Sequence, residues 1–138
     1  MVKTILLIAL IYIGSASLAS SDTAEKRLCR GARGDFDQVK IAKELVGICQ
    51  IGSSTIGAMD LVDLGGPYKG SATSLEAYGQ GLRACSSGSG KVIKVKSVAE
   101  KKDFSLCLYH DGSLMDVKTI STGKQAGQNR SLNTIIGI

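Results

Sequence analysis

The chain contains four cysteines, Cys29, Cys49, Cys85 and Cys107, and no two of them stand close in sequence. The gaps between them, 20, 36 and 22 residues, include no Cys-x-x-Cys pair of the kind that opens a structural zinc site. An even number of well-separated cysteines fits two disulfides, provided the chain reaches an oxidising compartment. Three pairings are open, and spacing does not choose among them. Each bridge would close a long loop and stabilise the fold by about 3–4 kcal/mol on the chain-entropy account. A domain of this size is marginal without such help, so the bridges supplement a real core.

The first residues point to that compartment. Met1-Val2-Lys3 is a short basic start, residues 4–13 form an uncharged apolar run of ten, and small residues follow up to Ala19. Ser17 and Ala19 stand at the −3 and −1 positions of a cleavage site, so the pattern predicts a signal peptide over 1–19. The apolar run is short of the roughly 20 residues a membrane helix needs. Residues 20–25 are polar with nothing to bury, and Lys26-Arg27 closes them. We read 20–27 as a propeptide ending in a dibasic processing site, and 28–138 as a single mature, secreted, extracellular domain.

Charge narrows the partners. The 17 basic residues exceed the 12 acidic ones, and a small positive excess remains in the mature part. That is too weak to indicate nucleic-acid binding, and with no Trp the chain offers few stacking platforms. No later stretch is apolar enough for stable membrane insertion.

Along the mature chain, Leu28 to Gly31 reads as a short first strand. Asp35 is placed to cap a helix, because Phe36, Val39, Ala42, Leu45/Val46 and Cys49 recur at three- and four-residue spacing. A short helix is expected over 59–64, stopped by Gly65-Gly66-Pro67. Ser74 could cap a second full helix through Leu75, Tyr78 and Leu82. The rest reads as β: 91–98 alternates Val/Ile with Lys, 104–109 alternates cleanly, Asp111-Gly112 marks a hairpin, and 113–119 returns. Residues 121–130 read as an exposed loop and 134–138 as a last strand. The expected fold is α+β, a two-layer sandwich of two helices on an antiparallel sheet of four or five strands, with two disulfides.

Few motifs carry chemistry. Gly88-Ser89-Gly90-Lys91 lacks the rest of a phosphate-binding loop, since Cys85 and Val92 stand where Gly and Ser/Thr are required. His110, the only histidine, sits at a predicted turn tip with no partner nucleophile in view. The acid pairs Asp60/Asp63 and Asp111/Asp116 have no mark of a buried glycosidase dyad. Arg33-Gly34-Asp35 spells an integrin-type tripeptide, but Asp35 already has a capping role. Asn129-Arg130-Ser131 is a candidate glycosylation sequon. Lys91, Lys94, Lys96, Lys101 and Lys102 form the densest basic cluster, which reads either as a binding patch or as lysines protecting an edge strand. No catalytic, cofactor-binding or metal-ligating set is expected.

Two segments carry a resemblance. Cys29-Arg30-Gly31-Ala32 is similar to the Cys-Arg-Gly-Ser start of one killer-toxin family, and Tyr78-Gly79-Gln80-Gly81-Leu82-Arg83-Ala84-Cys85 to its Tyr/Gly segment leading into Ala-Cys. With the leader and the dibasic pair, the chain resembles the killer-toxin-like effectors of fungi, whose fold is shared with virus-encoded killer toxins of smut fungi. It departs from them in having only four cysteines. The resemblance implies an α/β sandwich and an extracellular role in host interaction. A secreted, non-enzymatic effector, monomeric or weakly dimeric and acting through its surface on a host protein or cell-surface component, is the expected function. An antimicrobial or killer-type toxin against competing cells is the alternative.

Overall fold

The computed structural model describes residues 23–64 and 72–137. The segment read as a signal peptide, the first residues of the segment read as a propeptide, and Gly65-Gly66-Pro67 lie outside the described residues. Six strands form one antiparallel sheet: β1 (Asp35–Ile41), β2 (Glu44–Ile51), β3 (Ser54–Gly57), β4 (Lys91–Lys96), β5 (Asp103–Leu108) and β6 (Leu114–Asp116). Their order across the sheet is β1-β2-β3-β6-β5-β4. Hairpins β1–β2–β3 and β4–β5–β6 are local units, joined where Ile56 pairs with Met115. Four α-helices accompany them: α1 (Ala24–Gly31), α2 (Thr73–Gly79), α3 (Val117–Thr122) and α4 (Arg130–Ile136). Short 3₁₀ turns cover Ala58–Leu64, Cys85–Gly88 and Gly127–Asn129.

The sheet curls until its two edge strands meet. Val39 of β1 bridges Ser97, just past β4, and the Val98 N–H donates to the Gln38 carbonyl at 2.8 Å. Curling separates two cores. The inner face is filled by Val39, Ile48, Leu106 and Leu114, with Ile41, Val46, Ile93, Val95, Phe104 and Leu108 around them, and every one of these is a strand residue. The outer face presents Cys49, Ile51, Ile56, Cys107 and Met115 to the helices, which contribute Cys29, Leu75, Tyr78, Ile120 and Leu132. The disulfides pair Cys29 with Cys49 and Cys85 with Cys107, with Cα–Cα separations of 5.4 and 5.6 Å. Each ties a segment of the helical layer to a strand.

The α+β class and two disulfides agree with the sequence reading; the element count does not. Among the described residues there are six strands rather than four or five, and four α-helices rather than two. The largest correction concerns 36–49, read as a helix and folded as hairpin β1–β2. Asp37, Val39 and Ile41 face inward with Val46 and Ile48, while Phe36 and Cys49 face outward. Two strands joined by a two-residue turn imitate a helical stripe. Five β-branched residues within β1 and β2, together with Gly47, favour the extended form. The start at Leu28 is helical, not extended, because Thr23 caps α1 and its Oγ1 accepts from the Lys26 N–H at 3.3 Å. The returning strand ends at Asp116, whose carboxylate accepts the Thr119 N–H at 2.9 Å and starts α3. The last apolar run is the body of α4, closed by Gly137 at φ 76°.

Candidate functional site

The lysine cluster lies along the β4–β5 hairpin. Strand alternation divides it: Lys94 and Lys96 share the outer side of β4 with Val92, whereas Ile93 and Val95 point to the inner core. Lys101, at φ 58°, and Lys102 sit in the connection to β5. Lys96 Nζ stands 3.6 Å from Asp103, and Lys102 Nζ 2.9 Å from Glu100, which raises the lysine's affinity for its proton. Among the described residues Lys91, Lys94 and Lys101 have no carboxylate in salt-bridge range. Three of the five lysines therefore line an edge strand and two its following connection, rather than converging on one pocket. A shallow groove of about 470 Å³ runs beside Lys94, Lys96, Asp103 and Phe104. A second, of about 310 Å³, continues it past Thr55, Asp116 and Lys118. Val92 is 53% exposed, and Val98 and, across the seam on β2, Leu45 are also exposed.

Asp37 holds this hairpin in place. Buried at the inner end of β1, its carboxylate accepts N–H bonds from Gln38 at 2.7 Å, Ala99 at 3.0 Å and Glu100 at 3.3 Å. Burial alone would raise its pKa, but these bonds together outweigh that and hold it below the usual carboxylate range. The connection following β4 is thus pinned to β1 by a charge-assisted clasp. No residue in the sequence marks Asp37 for this role, since its partners lie about sixty positions away.

A second polar cluster lies in the outer layer. Ser74 Oγ and the Leu114 N–H both donate to Asp60 Oδ2, at 3.1 and 3.0 Å. Asp111 accepts from Thr73 N–H at 2.8 Å and from Ser113 Oγ at 2.6 Å, and Ser113 Oγ accepts from Ser74 N–H at 2.9 Å. Burial pushes Asp60 up to about 7, against the pull of its hydrogen bonds. Burial would raise Asp111 too, but the Ser113 and Thr73 bonds hold it well below the carboxylate range. These bonds tie the Ala58–Leu64 turn and α2 to the β5–β6 turn and the start of β6. Ser74 serves that network rather than capping α2, whose N-cap position is Ala72.

The remaining sequence candidates separate. Cys29, Cys49, Cys85 and Cys107 are all paired. Lys26 and Arg27 lie inside α1, where the Arg27 N–H donates to the Thr23 carbonyl, rather than in an unstructured stretch. A protease that takes extended substrate has access there only while this turn is open. Asn129, read as part of an exposed loop, is 1% exposed. Its Nδ2 donates to the Gly123 carbonyl at 2.8 Å, Thr122 Oγ1 at 3.0 Å and the Thr119 carbonyl at 3.3 Å. Its Oδ1 accepts from Ser54 Oγ, 75 residues earlier in the chain, at 3.3 Å. A glycan on that nitrogen is incompatible with this packing. Gly34 of the Arg-Gly-Asp tripeptide is required by the fold, because a Cβ there would strike the Cys29–Cys49 bridge. Asp35 begins β1 and caps no helix. His110 is exposed at its turn. The Asp63 side chain lies outside what is described.

Among the described residues no group of three or more His, Cys, Asp or Glu side chains could hold a metal ion, and no helix is long and apolar enough to cross a membrane. Comparison with protein-family models, with curated proteins and with solved structures finds no match.

Proposed function

We propose that this chain is a secreted, non-enzymatic effector of a fungus, acting outside the producing cell or on a host target by surface binding. The observation that carries the reading is the use of the cysteines: all four are consumed in two bridges that bolt the helical layer to the sheet. That arrangement persists in oxidising, extracellular compartments. The leader-like sequence at 1–19 and the similarity of two segments to killer-toxin-like effectors support the same reading. The edge formed by Val92, Lys94 and Lys96 is the surface best furnished for a protein partner. Its groove is shallow, and its polar groups are arranged along a strand rather than around one reacting atom.

Unreduced intact-mass and peptide mass spectrometry of protein from culture medium tests secretion. The expected product lacks residues 1–19, is four hydrogens lighter than the reduced chain, links Cys29 to Cys49 and Cys85 to Cys107, and carries no glycan on Asn129. An N-terminus at Leu28 would show that the Lys26-Arg27 site is used as well. Free thiols, or an intact Met1 in the cell pellet, would overturn the secreted reading. Infiltration of host tissue beside a growth-inhibition assay on competing microbes then tests the role. A host response alone supports the effector, and growth inhibition alone replaces it with a killer-type toxin.

A further inference from the structure

We infer that the free edge of β4 is a docking site for an extended, acidic segment of a partner protein, which adds to the sheet as a seventh strand. This inference rests on the surface-binding reading above and names its partner chemistry. The geometry comes from the hydrogen-bond register. The Ser97 N–H donates to the Lys102 carbonyl at 2.8 Å, and β4 pairs antiparallel with β5 in the same register, Val95 opposite Phe104 and Ile93 opposite Leu106. Bonding alternates along such a ladder. Lys91, Ile93 and Val95 therefore direct their N–H and C=O groups toward β5. Val92 and Lys94 direct theirs away from it.

Strand β1 covers this edge only at its far end. The seam consists of the Val39–Ser97 bridge and the Val98 to Gln38 hydrogen bond. One step further the same register places Lys40 opposite Lys96 and Ile41 opposite Val95. There β1 ends, at Ile41, and turns through Ala42 and Lys43 into β2. Residues 91–94 run on past the end of β1, with no described strand beside them. An added strand of four to six residues finds open backbone groups at Val92 and Lys94 and a way to continue the sheet.

Side chains select the occupant. On the inner side the added strand meets the partly buried Ile93 and Val95, which favours apolar residues at alternate positions. On the outer side it meets Lys94 and Lys96 beside the exposed Val92, which favours Glu or Asp at the positions between. The same lysines oppose a second copy of this chain, because edge-to-edge pairing of two β4 strands would bring lysine against lysine. The charge that keeps copies apart admits an acidic partner.

The probe is a synthetic heptapeptide alternating glutamate with valine, set against the same peptide with lysine for glutamate. Amide hydrogen exchange of the full disulfide-bonded protein is read by NMR. Saturating acidic peptide is expected to slow exchange at the Val92 and Lys94 amides at least tenfold, while Ile93 and Val95, already bonded to β5, stay unchanged. The double variant Lys94→Glu/Lys96→Glu is expected to lose at least tenfold in affinity and to prefer the lysine peptide. Val92→Pro is expected to abolish the protection; should it fail to fold, the charge-reversed variant decides alone. Unchanged exchange at Val92 and Lys94, or equal binding of both peptides, would overturn the inference. So would protection that appears without peptide as protein concentration rises, which would identify a second copy as the occupant. These measurements need neither secretion nor a host, so a negative result leaves the effector reading standing, and a failed secretion test leaves the docking edge standing.

Discussion

The inner face of the curled sheet is filled by strand residues alone, whereas the outer face depends on four helices, three 3₁₀ turns and both disulfides. The inner residues Val39, Ile48, Leu106 and Leu114 are fully buried and arise from two local three-stranded units. The outer layer is assembled from segments distant in sequence, held by covalent links and by buried polar groups such as Asp60 and Asn129. One face is therefore held by apolar packing, which responds to lost volume. The other is held by tethers and hydrogen bonds, which respond to redox state and pH.

Breaking each face should show this difference. The largest effect is expected from Leu106→Ala on the inner face, about 4 kcal/mol in chemical denaturation, since a fully buried leucine leaves a cavity that rigid strands cannot fill. The loss should be global, with β1 and β4 exchanging together. Replacing Cys29 and Cys49 by alanine opens a loop of 20 residues and should cost about 3 kcal/mol. That loss should have a different pattern: exchange in α1 should rise first, while the amides of β5 remain protected until global unfolding. Equal fraying of both faces in the cysteine variant would dissolve the distinction.

Acid titration sharpens the same contrast. Asp60 lies in the outer layer, and its folded pKa of about 7 is above its unfolded value. The stability it contributes is fully present below the unfolded pKa near 4 and is lost as pH rises through 7. Between pH 5 and pH 8 the protein should lose about 2 kcal/mol from this group. Asp37, at the inner end of β1, has a lowered pKa. Its contribution is present above the unfolded value and is lost only as pH falls through the folded one, outside that window. Asp60→Asn should therefore flatten the stability profile between pH 5 and pH 8, read by thermal melts at matched ionic strength. A profile as steep as that of the unsubstituted protein would assign the slope to another group.

The contrast also marks what could be read from sequence. Strands β4 and β5 and the Asp111-Gly112 turn were legible because alternation and turn chemistry coincide there. The two disulfides followed from an even cysteine count behind a leader-like segment, but their pairing did not, because it depends on which strand each part of the helical layer covers. Asn129 looked like a loop residue since its neighbours are polar; Ser54, one of the partners that bury it, lies 75 positions away. Asp37 and Asp60 are ordinary acids in sequence, distinguished only by the backbone donors that folding brings to them. The lysines of the candidate edge were visible, but not the stretch 91–94, beside which no described strand lies because β1 stops at Ile41.

The hairpin at 35–51 lacks the turn signature that would distinguish it from a helix. A two-residue turn between strands favours left-handed backbone at both central positions, and Asn-Gly or Asp-Gly is its usual signature. Here the positions are Ala42, at φ 50°, and Lys43, at φ 70°, so the signal that would have separated two strands from one helix is missing. Both residues pay a steric penalty that glycine avoids. Lys43→Gly should therefore stabilise the protein, by about 0.5–1 kcal/mol after the added freedom of the unfolded chain is set against the relieved strain. It also removes a charge beside the seam. The melting temperature should rise, and the gain should persist at high salt, where any contribution from the Lys43 charge is screened. A gain that vanishes in salt would mean that charge, not backbone conformation, makes this turn costly.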